Sequence, residues 1–170
     1  MVRSRLKQCV GALPLVVAGL MPVMTDTPAD AATATGSIPI SATVLAQCDV
    51  SATSLAFGNY GSTTQLDGSA VVSVTCTNGT PFTVALDVGS GLGATVASRK
   101  MTGPSSATLN YSLYRDTGRS QVWGVTVGTD TLAGTGTGAV SALTVYGRIP
   151  AGQHPAPGAY TDTVNVTLAY

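Results

Sequence analysis

Glutamate is absent from the 170 residues, and lysine occurs only at Lys7 and Lys100. Charged residues amount to 9%, against about 25% in an ordinary soluble domain. Hydroxyl, amide and small side chains must therefore cover the surface. The shortage of straight-chain helix formers, beside abundant Thr and Val, argues against helices and for an all-β chain. Eight basic and eight acidic side chains cancel, which removes the basic stripe that a nucleic-acid binder needs to displace counterions. One histidine and three cysteines leave little material for a metal or catalytic centre, so neither a cofactor nor an enzymatic activity is expected. Long apolar runs are missing too. The longest, Cys9–Met24, is interrupted by Pro14 and Pro22 and falls short of the roughly 20 residues of a membrane helix.

What is present at the N-terminus reads as an address. Arg3, Arg5 and Lys7 precede that run, and the small residues Ala29, Ala31, Ala32 and Ala34 follow it. This is the order of a secretory signal peptide. Residues 1–32 are therefore expected to be cleaved, with no stable membrane insertion afterwards; a retained signal anchor is the alternative. Cys9 leaves with the signal. Cys48 and Cys76 remain, and an even pair in an exported chain suggests one disulfide, with two buried thiols as the other possibility.

From residue 36 onward, short alternating segments are separated by turn residues, the pattern of a β-sandwich. Ile38, Ile40, Ala42, Val44 and Ala46 alternate with Ser37, Pro39, Ser41, Thr43 and Leu45. Val72, Val74 and Cys76 share a face; Phe82, Val84, Leu86 and Val88 follow a turn at Asn78-Gly79. Leu109, Tyr111 and Leu113 alternate next, and Val122–Val127 holds the sole tryptophan, Trp123. A glycine-rich stretch over 128–138 reads as flexible and leads to Leu143, Val145 and Ile149. Val164, Val166, Leu168 and Tyr170 alternate up to the last residue. No helical period, internal repeat or second domain is evident. A regular edge at the end of a sheet is a liability that proteins usually blunt. Here one edge is left open at the C-terminus while a spare strand precedes the first retained cysteine. That strand either pairs within its own sandwich or is offered to a neighbour.

Other features carry less. His154 lies in a proline-rich loop. The runs Gly89–Gly93 and Gly134–Gly138 lack the spacing of a phosphate loop. Asp87 and Asp116 are read as turn and surface carboxylates rather than a catalytic pair. Asn78, Asn110 and Asn165 occupy sequons. Trp123 and Tyr114 could form a sugar platform, but core packing is the better expectation.

An ordered set of short stretches resembles a known family. It comprises Leu55–Tyr60, Val72–Thr77, Leu109–Asp116, Trp123-Gly124, Tyr146–Pro150 with Gly152-Gln153, and Gly158–Val164. Together these resemble the spore coat protein U domain family, which includes the pilin subunits of archaic (Csu-type) chaperone–usher pili. The resemblance implies an immunoglobulin-like β-sandwich that lacks its last strand and is completed by donor-strand complementation. It implies a donor segment within residues 33–47, about Gly36–Ala46, with Ile38, Ile40, Ala42 and Val44 as inward plugs. The sandwich would span 48–170, with an acceptor groove beside Val164, Val166, Leu168 and Tyr170. Cys48 and Cys76 fall at the family's disulfide positions. The implied partners are neighbouring subunits, a periplasmic chaperone and an outer-membrane usher, and the implied location is a cell-surface fibre that supports adhesion and biofilm formation. Pro39 departs from a regular donor strand, because proline removes a ladder donor. A spore or cell-surface coat protein of the same fold, or a monomeric secreted binding module, are the alternatives.

Overall fold

A computed structural model describes residues 31–170, so nearly all of the expected signal segment lies outside the described residues. The chain divides into two units after Ser41. In the first, residues 31–41 carry no strand, and Ile38 and Ile40 are almost fully exposed. The alternation over 36–46 therefore does not produce a strand. A lone extended segment gains no ladder bonds, and alternation without a partner edge leaves it irregular.

The second unit holds eight strands, every pairing antiparallel: β1 (Cys48–Ala52), β2 (Leu66–Cys76), β3 (Pro81–Leu86), β4 (Arg99–Thr102), β5 (Thr108–Tyr114), β6 (Leu132–Thr135), β7 (Val140–Ile149) and β8 (Val166–Ala169). One sheet has the order β1-β2-β7-β5-β4, the other β6-β3-β8. Val72, Val74 and Cys76 of β2 face Phe82, Val84 and Leu86 of β3 across a core that also takes Leu109, Tyr111, Leu113, Val145, Ile149 and Trp123. Cys48 stands directly opposite Cys76 in the β1–β2 register, and the two form a disulfide.

Trp123 is fully buried and donates its indole N–H to the Val84 carbonyl at 3.0 Å. It is core, as expected, but the stretch around it is no strand; only Val122 bridges to Tyr114. Three strands were not foreseen, the first of them β1, whose residues after Cys48 are all exposed. β4 is short and polar at its outer positions, and β6 lies inside the glycine-rich stretch read as flexible. Gly134 is tolerated there because the Phe82 ring lies against its backbone, where a Cβ would sit only 2.5 Å from Cζ.

Arg99 is as buried as Trp123 and has no carboxylate partner among the described residues. Its guanidinium donates instead to the carbonyls of Asp87, Val96, Leu86 and Trp123 at 2.7–3.0 Å. A buried cation so saturated ties the end of β3 to the loop before β4 and to the tryptophan segment, and burial lowers the pKa of the guanidinium. Gln153 performs a similar repair. The β5–β7 register would place Pro150 opposite Asn110, and proline has no N–H to offer. The Gln153 side-chain amide accepts from the Asn110 N–H at 2.8 Å and donates to its carbonyl at 2.9 Å, standing in for the missing peptide group.

Candidate functional site: an open slot between the sheets

The two sheets are joined on one side and parted on the other. On the joined side, Thr102 at the end of β4 and Thr161 exchange two backbone hydrogen bonds, at 2.9 and 3.1 Å. On the other side, β8 of the small sheet comes beside β1 of the large one without pairing to it. Between them a cleft of about 390 Å³ runs between Ala52–Phe57 and Tyr160–Val166 and reaches the core side chains Val72, Leu86, Tyr111, Leu113 and Val145. A second cleft of about 750 Å³ continues it between Leu55–Ser62 and Gln153–Tyr160; both share Leu55, Phe57, Met101 and Tyr160. His154 lies in this second part, which also contains Pro155 and Pro157.

Both walls present unused backbone. Asp87 donates its amide to the Asn165 carbonyl, so Asn165 faces β3. Leu86, opposite Val166, donates its amide to Gly124 rather than to β8. By alternation, the backbone groups of Val164, Val166, Leu168 and Tyr170 point away from β3, into the slot. The side chains of Val164, Val166 and Leu168 pack against the core, whereas Tyr170 is exposed. The strand expected from Val164 begins only at Val166, because Asn165 is held by the Asp87 side chain, which accepts from its amide at 2.9 Å and from its Nδ2 at 2.6 Å. Across the slot, residues Ser54–Asn59 make no backbone–backbone hydrogen bond among the described residues.

That opposite wall was not recognised as such from sequence, where Leu55–Tyr60 stood only among the stretches that resemble the family. Its placement follows from two glycines. Gly68 and Gly147 are paired across β2 and β7, and a Cβ on Gly147 would lie 2.7 Å from Phe57 Cζ and 2.9 Å from Leu55 Cδ1. Their bare backbone is the bed on which Leu55 and Phe57 rest. Phe57 meets Tyr111 edge-on, with ring centroids 6.0 Å apart. Tyr111 in turn donates to Asp162 Oδ2 at 2.6 Å, and burial together with that bond pushes its phenol pKa up. The other Asp162 oxygen accepts from the Ser90 amide and hydroxyl. Asp162 thus fastens the approach to β8 without closing the slot.

Of the residues expected to act, Cys48 and Cys76 are brought together, and Val164, Val166 and Leu168 line one wall. Ile38, Ile40, Ala42 and Val44 lie in exposed, irregular chain, Val44 being 83% exposed. Asp87 and Asp116 do not meet; Asp116 organises its own turn by accepting from the Ser120 and Gln121 amides. Tyr114 lies beside Tyr146 on the outer sheet face, apart from the buried Trp123. Among the described residues, no cluster of three or more His, Cys, Asp or Glu side chains could hold a metal, and no helix is long and apolar enough to cross a membrane.

A profile of the Spore Coat Protein U domain matches residues 34–167. The chain belongs to that family. No curated protein sequence matches this spore coat protein U chain. Among solved structures it is similar to one titled as the CsuC–CsuE chaperone–tip adhesion subunit pre-assembly complex from archaic chaperone–usher Csu pili of Acinetobacter baumannii, with a TM-score of 0.56 and 21% identity. The match covers 75% of this chain and 41% of that one, so the present chain spans about two fifths of its neighbour's length. The likeness is one of fold, an all-β sandwich of two antiparallel sheets.

Proposed function

We propose that this protein is a structural subunit of a chaperone–usher pilus, and that Gly36–Ala46 of one copy fills the slot of the next. The slot carries the reading. An alternating strand laid between β8 and Ser54–Asn59 finds unused backbone groups on both sides, and its inward side chains cover the half-buried apolar side chains along the slot, Val164, Val166, Leu168, Leu55 and Phe57. Strand addition of this kind takes affinity from main-chain bonds and specificity from pockets. Ile38, Ile40 and Val44 are the large plugs, each worth about 1.5–3 kcal/mol if fully buried, and Ala42 is the small one. Val164, Val166, Leu168 and Tyr170 are the acceptor rail.

A head-to-tail contact between a segment and a groove on different copies does not close on itself, so it generates a fibre. Until a neighbour arrives, an exported subunit needs a substitute strand, the role of a periplasmic chaperone, with exchange at an outer-membrane usher. Residues 1–32 serve as the export signal, and the Cys48–Cys76 disulfide suits the oxidising compartment such a signal leads to. The fibre is displayed on the cell surface, where it supports adhesion and biofilm formation.

The test compares the exported chain with one deleted for residues 36–46. The first is expected to form oligomer ladders; the second is expected to be unstable until a 36–46 peptide is added. Ile40→Asp should abolish polymerisation and leave chaperone binding intact. A sharp monomer that takes up no such peptide would refute the proposal.

A further inference from the structure

The same arm could in principle fold back into the slot of its own chain. We infer that Thr77 and Pro39 together bar it from doing so, which leaves a second copy of this chain as the donor; the inference rests on the reading that Gly36–Ala46 is the slot's occupant.

The first barrier is where the arm leaves the sandwich. Beyond the disulfide, the Thr77 amide donates to the Gln47 carbonyl at 2.9 Å, and the Gln47 amide donates to the Thr77 hydroxyl oxygen at 3.2 Å. That hydroxyl lies 3.3 and 3.4 Å from the carbonyls of Gln47 and Leu45. Residues 45–47 are thereby held as a straight continuation of β1 along β2. The slot opens at the other end of β1, beside Ala52–Phe57. To enter it, the arm would have to break this clamp and reverse direction within the clamped residues.

The second barrier is the direction such a reversal imposes. β1 and the segment after it run opposite to β8 across the slot: Ala52–Phe57 lines it together with Tyr160–Val166, and β1 lies beside β8 further along. An arm folded back antiparallel to β1 therefore runs parallel to β8. In a parallel pair, a bonded residue sits between two partners, with its side chain on the opposite face from theirs. The rail residues Val164, Val166 and Leu168 point inward, so the arm residues bonded to them would be the outward ones, Pro39, Ser41 and Thr43. Pro39 has no N–H to give. A second copy can instead enter antiparallel to β8. There the inward residues of both strands face each other and exchange both bonds, so Ile38, Ile40, Ala42 and Val44 meet the rail and Pro39 turns away from it. The proline that spoils a regular donor strand then costs the intermolecular pairing no bond to β8.

The test uses the exported full chain, denatured and refolded without chaperone, with the ratio of monomer to detergent-resistant oligomer read by gel and size exclusion. Thr77→Val and, separately, Pro39→Ala should each raise that ratio at least about five-fold, the scale of one or two modest hydrogen bonds. The added monomer should protect residues 36–46 from protease. Pro39 lies in the exposed arm, so its variant tests the idea without risk to the sandwich. Wild-type ratios in both variants, with wild-type chain still forming oligomers, would overturn this inference and leave the slot reading standing. Absence of oligomers in every variant, with no uptake of a 36–46 peptide by the arm-deleted chain, would overturn the slot reading and this inference with it.

Discussion

Gly147→Ala places a methyl group at the bed of the slot's wall. The added Cβ would lie 2.7 Å from Phe57 Cζ and 2.9 Å from both Leu55 Cδ1 and Phe57 Cε1, closer than real Cβ contacts come. Phe57 cannot simply retreat, because its ring lies against Tyr111, whose hydroxyl is fixed by Asp162. Two effects oppose each other. Alanine in a strand interior is better than glycine by about 0.5–1 kcal/mol, while overpacking a filled site costs about 1–3 kcal/mol. The clash should win, leaving a net loss of about 1–2 kcal/mol. Gly68→Ala is the graded control: its Cβ would meet the same side chains at 3.1 and 3.2 Å, so a shift of a few tenths of an ångström suffices and the loss should be smaller. Phe57→Leu removes the Cζ and Cε1 atoms that clash and should recover part of the loss when combined with Gly147→Ala. Urea midpoints of the four variants, with and without a 36–46 peptide, measure this directly. The affinity for the peptide should fall along with stability, because the displaced residues are a wall of the slot. Equal stability of Gly147→Ala and wild type, or a double variant whose losses simply add, would refute the account of how Leu55 and Phe57 are seated.

Two other perturbations probe the frame around the slot. Replacing Cys48 and Cys76 together by Ala should cost about 3–4 kcal/mol for a closed loop of this length, seen as a urea midpoint that no longer responds to reductant. The Asp87 carboxyl gives a pH signature: partial burial alone would raise its pKa, but the Asn165 side chain, the amides of Gly89 and Asn165, and the Arg99 charge hold it below the ordinary value. A carboxyl depressed in the folded state contributes stability that is present above about pH 4 and is lost as pH falls through its folded pKa. The urea midpoint should therefore drop more between pH 7 and pH 3 in wild type than in Asp87→Asn, and equal drops would refute this role for Asp87.

The parts legible in the sequence are those where one residue's chemistry suffices. Alternation in Phe82-Thr83-Val84-Ala85-Leu86 and Leu109–Leu113 marks half-buried strands, and the Cys48–Cys76 pair marks the disulfide. The parts that were not legible depend on partners far along the chain. β6 is held by β3 despite Gly134 and Thr135, because Phe82 fills the space a side chain would take. The wall at Leu55–Phe57 is defined by two glycines, Gly68 and Gly147, whose pairing no local window shows. The failure at 36–46 has the opposite cause: the local pattern is that of a strand, but a strand is a relation between two edges, and this segment lacks its second edge.

An open slot also explains why the rest of the frame is so heavily fastened. A sandwich with a cleft along one side leaves Val164, Val166 and Leu168 only half-buried and so forgoes burial that would otherwise hold β8, which is only four residues long and bonded on one side. Compensation has to come from bonds that do not reach into the slot. Asp87 holds Asn165, Asp162 joins Ser90 to Tyr111, Thr102 and Thr161 close the opposite side, and Arg99 draws four carbonyls together behind them. Each of these groups fixes a segment adjoining β8 or the strands beneath it while leaving the backbone of Val164, Val166 and Leu168 free on the slot side. In a chain with so few charged side chains, these ionisable groups are spent on backbone and hydroxyl partners inside the frame rather than on surface ion pairs. Stability placed around the slot rather than in it keeps the groove open to a strand from elsewhere.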